Sequence, residues 1–473
     1  MSEIESMCGR LQQCGQPELA QALVAAPSLL EDLRRVDLDA IPSLVQRFVR
    51  SRPTPPEGDL APATCVTTDA GSATDTVRLV DQAALQSAGE AMLAEGRVAV
   101  FTVAGGQGTR LGWNGPKGTF PASPVTGKPL FRLFAEQILA AQGRWGRPIR
   151  WYIMTSEAND AETRGFFLDN RCFGLDRRQI MMFPQGMMPA FDAAEGRVLL
   201  SDSTSLAMSP DGHGGCYAAL LNSGALDQME GRGIDAISYH QVDNPLAPVL
   251  DPVFLGLHAR SDESSGEFSS KMVSKAGPDE KVGVFAIRGG APGVVEYSDM
   301  TESQTTATDS GGHLRLGAGN VAMHVISCEF ARRIADAGEA SLPWHRADKK
   351  VAFYDPATSR TVTPEGPNAV KLERFVFDAM ATATRPAILK VDRASQFAPI
   401  KNATGVDSAE SSRQIQSALY GSWLESAGVR VPRDEDGRLD ATIEISPLTA
   451  LSAADLADVP LPEAITPGAS VSL

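Results

Sequence analysis

The sequence predicts an α/β protein built on a mixed, mostly parallel sheet covered by helices. Three observations carry this. Apolar, strand-length runs alternate with helical patterns from about residue 97 to 385. Several of these runs empty into polar or glycine-rich loops, at strand carboxyl ends where such sheets bind ligands. A chain of 473 residues is also too long for one ordinary core, so two or three domains are expected.

Composition narrows the class. With 43% hydrophobic and 21% charged residues, the chain has the make-up of a globular protein in water. Its net charge of −15, from 43 basic and 58 acidic residues, argues against nonspecific nucleic-acid binding. It does not argue against an anionic small substrate, which responds to local charge. The six cysteines are scattered and form no C-x-x-C pair, as expected of free thiols in a reducing compartment. The six histidines show no H-E-x-x-H pattern, so no zinc site is expected. The N-terminus lacks the pattern of a signal peptide, and no apolar run is long enough to span a membrane. The expectation is a cytoplasmic protein with neither nucleic-acid nor membrane partners.

Taken in order, residues 1–96 form a helical N-terminal region. Leu19, Leu23, Leu30, Leu33, Leu44 and Phe48 belong to its i, i+3/i+4 rhythm, punctuated by Pro17, Pro27 and Pro42. A proline-rich linker covers Ser51 to Asp59, and a short helix near Ala83 to Glu95 follows. The span 97–385 then reads strand at 98–103, helix at 130–141, strand at 149–154, helix from 158, and strands at 179–183 and 234–242. A polar surface loop is expected over 301–312, with helices over 320–337 and 371–383. Residues 386–473 are expected to form a small β-containing domain of short strands and turns, with a strand at 441–446 and an irregular tail from Pro460. There is no internal repeat.

Four stretches carry chemistry. The strand Val98–Val103 ends in Ala104-Gly-Gly-Gln-Gly-Thr-Arg-Leu-Gly112, followed by Gly115-Pro-Lys-Gly118. Bare backbone N–H groups with Arg110 and Lys117 suit a phosphate. The Gly-x4-Gly-Lys-Ser/Thr loop is excluded because Lys117 stands between Pro116 and Gly118. The dinucleotide fingerprint fails because Leu111 occupies its third glycine. The strand end Gln241-Val-Asp-Asn244 offers Asp243, either as one carboxylate of a Mg²⁺ site or as an ordinary Asp-Asn turn. Pro210-Asp-Gly-His-Gly-Gly215 is a second glycine cluster, with His213 as a base, a hydroxyl contact or merely an exposed residue. Lys401 lies in the proline-bounded stretch Gln396–Asn402, where a plain solvated lysine is the ordinary reading.

These motifs resemble the eukaryotic-type UDP-sugar pyrophosphorylases, most closely their UDP-N-acetylglucosamine pyrophosphorylase branch. The resemblance rests on the loop at 104–118, Trp151–Glu157, Phe183-Pro-Gln185, Met208–Gly215 and Val242-Asp-Asn244. It continues through Val282-Gly-Val284, Val294–Ser298, Ala318-Gly-Asn320, Lys371–Phe377, Phe397–Asn402 and Glu444-Ile-Ser-Pro447. It implies a GT-A-like, Rossmann-type central domain and the reaction of UTP with a sugar 1-phosphate to give UDP-sugar and pyrophosphate, with Mg²⁺.

Carried over by position, Ala104, Gly105, Gly106 and Gln185 would hold uracil, with Gly212 near the nucleoside. Arg110 and Lys117 would hold the triphosphate and the leaving pyrophosphate, and Lys401 the phosphate of the sugar nucleotide. Asp243 would bind Mg²⁺, and Gly283, Glu296 and Asn320 the sugar. One residue departs from the branch, which typically reads Gly-Asn-Gly-Gly where this chain has Gly212-His213-Gly214-Gly215. The glucose-type branches carry Gly-His-Gly, so both N-acetylglucosamine 1-phosphate and glucose 1-phosphate stand as expected substrates. The rival reading is a noncatalytic UDP-sugar-binding or regulatory protein on the same fold, against which the full set Arg110, Lys117, Asp243 and Lys401 speaks.

Overall fold

The run Val-Ala-Val-Phe-Thr-Val at 98–103 has no polar face, the pattern of a strand buried on both sides. A computed structural model describes residues 2–51, 59–338 and 341–473, and in it this run is a strand with Ala99, Val100 and Phe101 fully buried. Most of the proline-rich linker, residues 52–58, falls outside the described residues.

Contacts divide the chain into two compact units. The larger comprises Asp59–Pro184, Tyr217–Gly338 and Ala379–Leu473; the smaller comprises Met1–Gly58, Gln185–Cys216 and Glu339–Asp378. Both are assembled from separated stretches, so a division into consecutive spans at 96 and 385 does not describe them.

The larger unit contains a twelve-stranded sheet. Its strands are β1 (Leu60–Pro62), β2 (Cys65–Thr67), β3 (Val77–Leu79), β4 (Val98–Val103), β5 (Trp151–Thr155), β6 (Ile180–Pro184), β7 (Ala236–Gln241), β8 (Phe268–Ser274), β9 (Val284–Arg288), β10 (Ala291–Val295), β11 (Ala318–Ser327) and β12 (Ala387–Lys390). The main row runs β3-β2-β12-β8-β11-β7-β4-β5-β6, and β9 joins β1, β10 and β11 at its side. Within the row β11 is antiparallel to both neighbours and every other pairing is parallel. The carboxyl ends of β4, β5, β7, β8 and β12 therefore share one edge, and β11 begins there.

Alternate side chains of the central strands, Val98, Val100, Trp151 and Ile153, pack with the helices Gln82–Glu95, Leu130–Trp145 and Pro252–Ala259 in one core. Two of these helices cross at backbone contact. A Cβ on Gly89 would fall 1.8 Å from the Pro252 carbonyl oxygen, and one on Gly256 1.8 Å from that of Leu85. At the chain's end, the helix Ala409–Ser426 and the parallel pair Ala441–Glu444 and Ala469–Ser472 enclose a separate small core.

In the smaller unit the helices Glu3–Gln13 and Pro17–Ala25 bury Leu11 and Leu23 in a cluster with Phe191, Leu200, Val370 and Leu372. Buried Gln16 ties the helical segment down, donating to the Gly196 carbonyl at 3.0 Å and accepting from the Val198 N–H at 2.9 Å.

Several sequence expectations are corrected. Residues 320–337 are not one helix: β11 runs to Ser327 and only Cys328–Asp336 is helical. Val321, Met323 and Val325 are buried at alternate positions, the period of a strand. The stretch 371–383 splits into the strand Ala369–Glu373 and a 3-10 segment Val376–Thr382. Beyond 386 the chain is not only strands and turns, since Ala409–Ser426 is an 18-residue helix. The tail includes the strand Ala469–Ser472, and the 301–312 loop contains the short helix Glu302–Thr306.

Candidate active site

The glycine-rich stretch after β4 folds back on itself. The Lys117 N–H donates to the Gly106 carbonyl at 3.0 Å and the Gly108 N–H to the Gly115 carbonyl at 2.9 Å. A Cβ on Gly108 would come within 2.8 Å of Trp113, and one on Gly118 within 2.2 Å of the Phe131 ring, so these glycines serve packing. Arg110 is exposed on the 3-10 turn Thr109–Leu111 and pairs with no acid among the described residues. At the base of the loop, the amide of buried Asn159 donates to the Ala104 carbonyl at 2.9 Å and the Gly106 carbonyl at 3.3 Å.

Asp243 stands two residues past β7 at the same edge. Its carboxylate is 3.4 Å from the Lys117 Nζ, and the two side chains are 13% and 18% exposed. Burial works to raise its pKa, but Lys117 and Lys401 outweigh that and hold the carboxyl below its usual range. The segment bearing Lys401 is bonded to this strand end. The Ile400 N–H donates to the Asp243 carbonyl at 2.9 Å. Buried Asn244 donates to the Gln396 carbonyl at 2.7 Å and accepts from the Ala398 N–H at 3.0 Å. Lys401 lies 4.0 Å from Asp407 and 5.4 Å from the Phe397 ring centre. This ionised carboxylate could supply one ligand to a hard dication whose remaining oxygens come from phosphate and water.

Gly283, Glu296 and Asn320 come together at the same edge. Val284 is in register with Gly319, and the Asn320 N–H donates to the Gly283 carbonyl at 2.8 Å. A Cβ on Gly283 would lie 2.9 Å from Glu296 Oε1. The Asn320 side-chain oxygen accepts from the Ala322 N–H at 2.9 Å, which leaves its NH₂ for another acceptor.

Gln185, Gly212 and His213 belong to the smaller unit. Gln185 is buried there. Gly212 has φ of +88°, and a Cβ would strike Arg374 backbone at 2.4 Å. Gly214 and Gly215 are equally crowded, by the Arg374–Phe375 backbone and by the Asp211 carboxylate. The close approach that selects these glycines is thus made by the protein's own chain. His213 stacks on Phe375 at 5.1 Å and its Nδ1 accepts from the Val376 N–H at 3.1 Å. The imidazole is therefore neutral with its proton on Nε2, and burial, with His345 nearby, pushes its pKa down to about 4.

Sequence reasoning missed Asn159, Asn244, Phe375 and Asp407. Asn244 and Phe375 stood inside the stretches Val242–Asn244 and Lys371–Phe377 without a role of their own, and nothing local marked Asn159 or Asp407.

Comparison with known proteins identifies the family. Residues 53–418 match the family described as UTP--glucose-1-phosphate uridylyltransferase. The chain is 35% identical over 392 residues to a probable UDP-N-acetylglucosamine pyrophosphorylase of Dictyostelium discoideum, covering 80% of this chain and 79% of that one. It is 37% identical over 361 residues to the UDP-N-acetylglucosamine pyrophosphorylase of Saccharomyces cerevisiae, covering 75% and 74%. Among solved structures, the uridine diphosphate N-acetylglucosamine pyrophosphorylase of Trypanosoma brucei aligns with a TM-score of 0.77 at 27% identity, over 97% of this chain and 94% of that one. The chain belongs to the UDP-sugar pyrophosphorylase family, on its UDP-N-acetylglucosamine pyrophosphorylase branch, and is a nucleotidyltransferase that converts UTP and a sugar 1-phosphate to UDP-sugar and pyrophosphate.

Proposed function

We propose that the sugar is N-acetylglucosamine 1-phosphate and that the carboxyl edge carrying Lys117, Asp243 and Lys401 performs the transfer. The observation that carries the second part is the ionised carboxylate held at 3.4 Å from one lysine, with the other on a segment bonded to its own backbone. In this reading a phosphate oxygen of the sugar phosphate forms a bond to the α-phosphorus of UTP. The bond from that phosphorus to the bridging oxygen breaks, and pyrophosphate leaves with the electron pair. Lys117 and exposed Arg110 neutralise charge on the departing pyrophosphate, and Lys401 neutralises the incoming phosphate. The backbone of Ala104, Gly105 and Gly106 faces uracil. Asp243 holds Mg²⁺, which when bound draws charge from the phosphate oxygens. Gly283, Glu296 and Asn320 take the sugar. In the smaller unit, Gln185 and Gly212 serve the nucleoside and His213 the sugar. A cytoplasmic location is part of the proposal, and the six free thiols support it.

The branch supports the amino sugar. A second reading, glucose 1-phosphate, is favoured by His213 alone, whose single Nε2–H donor replaces the amide typical of the branch. The test is pyrophosphate release from UTP and Mg²⁺ with each sugar phosphate. A higher kcat/KM for N-acetylglucosamine 1-phosphate is expected; preference for glucose 1-phosphate would overturn the assignment of the sugar, and no release with either would overturn the assignment of the edge.

A further inference from the structure

We infer that Asn159 is a positioning residue that aims the backbone donors of the 104–107 loop at the nucleotide. The inference deepens the proposed role of that loop and rests on it. Asn159 follows β5 and is 1% exposed. Its Oδ1 accepts from the Ser156 N–H at 2.9 Å, while its Nδ2 reaches the Ala104 carbonyl at 2.9 Å and the Gly106 carbonyl at 3.3 Å. Only this orientation of the amide meets one donor and two acceptors. Gly106's carbonyl also accepts the Lys117 N–H at 3.0 Å, so one oxygen couples Asn159 to the segment that carries the catalytic lysine.

The consequence follows from peptide geometry. The chain has no cis peptide bonds among the described residues. In a trans peptide the carbonyl and the next N–H point in opposite directions. Holding the Ala104 and Gly106 carbonyls against Asn159 therefore turns the N–H groups of Gly105 and Gln107 the other way. The N–H groups of Gly105 and Gln107 donate to no acceptor among the described residues. Two peptide planes are thus set by one side chain, and the donors they expose suit the acceptor oxygens of a uridine nucleotide. Fixed donors of this kind lower the ordering cost of binding.

The test compares Asn159→Ala, which removes all three bonds, with Asn159→Asp, which keeps the size and the bond from Ser156 but sets an oxygen against both carbonyls. Gly106→Val serves as the loop control, since a Cβ there meets nothing within 4 Å and the side chain extends into the open space beside the loop. Steady-state kinetics are read for both substrates, with thermal unfolding alongside. The expected result is a rise in KM for UTP of about ten-fold or more in both Asn159 variants, with KM for the sugar 1-phosphate within about two-fold. Folded Asn159 variants with wild-type KM for UTP, while Gly106→Val raises it, would overturn the inference and leave the loop's role intact. Wild-type KM for UTP in all three variants would overturn the loop's role itself. Failure of both Asn159 variants to fold, or a matched rise in both KM values, would make Asn159 a purely structural residue and overturn the inference.

Discussion

Asp243 has its charge favoured by two lysines, Lys117 at 3.4 Å and Lys401 on the segment bonded to its carbonyl. Its lowered pKa keeps it ionised at neutral pH. The stability this pairing supplies is full above the carboxyl's unfolded pKa and is lost as pH falls through the lowered folded value. His213 follows the sign of a buried neutral base. Its folded pKa of about 4 lies below the ordinary imidazole value, so it stays neutral in the folded state from pH 8 down to about 5. The unfolded state takes up that proton first, so His213 weakens folding as pH falls through its unfolded pKa. The ratio of kcat/KM for N-acetylglucosamine 1-phosphate over glucose 1-phosphate is therefore expected to stay flat between about pH 5.5 and 8. His213→Asn is expected to move that ratio towards the amino sugar by roughly ten-fold, about 1.4 kcal/mol. A selectivity that titrates in this range, or a ratio unmoved by the substitution, would remove His213 from sugar recognition. Of these residues, Asp243 was legible locally as a strand-end carboxylate. Lys401 became legible only through the family resemblance, because nothing in Gln396–Asn402 announces a bond back to a carbonyl some 150 residues earlier.

Among elements, the closest packing is between Gln82–Glu95 and Pro252–Ala259. Gly256→Ala drives a methyl group into the Leu85 carbonyl. The predicted cost is about 1–3 kcal/mol, seen as a lower urea midpoint with an unchanged slope. Strands with a single buried pattern, such as β4, were legible because both faces are apolar. β11 was not: it ends at Ser327 and the helix Cys328–Asp336 follows at once, so the joined stretch imitates one helical period. The helix Ala409–Ser426 escaped notice because the first part of its buried face is polar, with Ser412, Gln416 and Ser417 facing inward before Tyr420 and Leu424 reach the small core. Ser412 donates to the Ala398 carbonyl at 2.6 Å and Gln416 to that of Ala122 at 3.1 Å, contacts that no hydrophobic rhythm reveals.

At the scale of the molecule, the Glu444-Ile-Ser-Pro447 stretch has a physical role: it fastens the C-terminal core within the larger unit. Glu444 accepts from the N–H groups of Val125 and Thr126 at 2.9 and 2.8 Å and from the Thr126 hydroxyl at 2.6 Å. Ser446 donates to Glu136 at 2.9 Å, which also holds Lys128 at 2.7 Å. Glu444→Ala leaves these partly buried donors without their carboxylate, and a loss of roughly 1–2 kcal/mol is expected in urea unfolding. Val125 and Thr126 follow Lys117 by eight and nine residues, so the C-terminal core braces the segment that leads on from this lysine.

In the proposed reaction Lys117, Asp243 and Lys401 carry uridylyl transfer. The most direct measurement is pyrophosphate release by Lys117→Ala and Lys401→Ala beside the wild type, under saturating UTP, Mg²⁺ and sugar 1-phosphate, with thermal unfolding of each protein. The expected result is a fall in kcat of roughly 10²-fold or more in both variants with the fold intact. Wild-type kcat in both folded variants would contradict it.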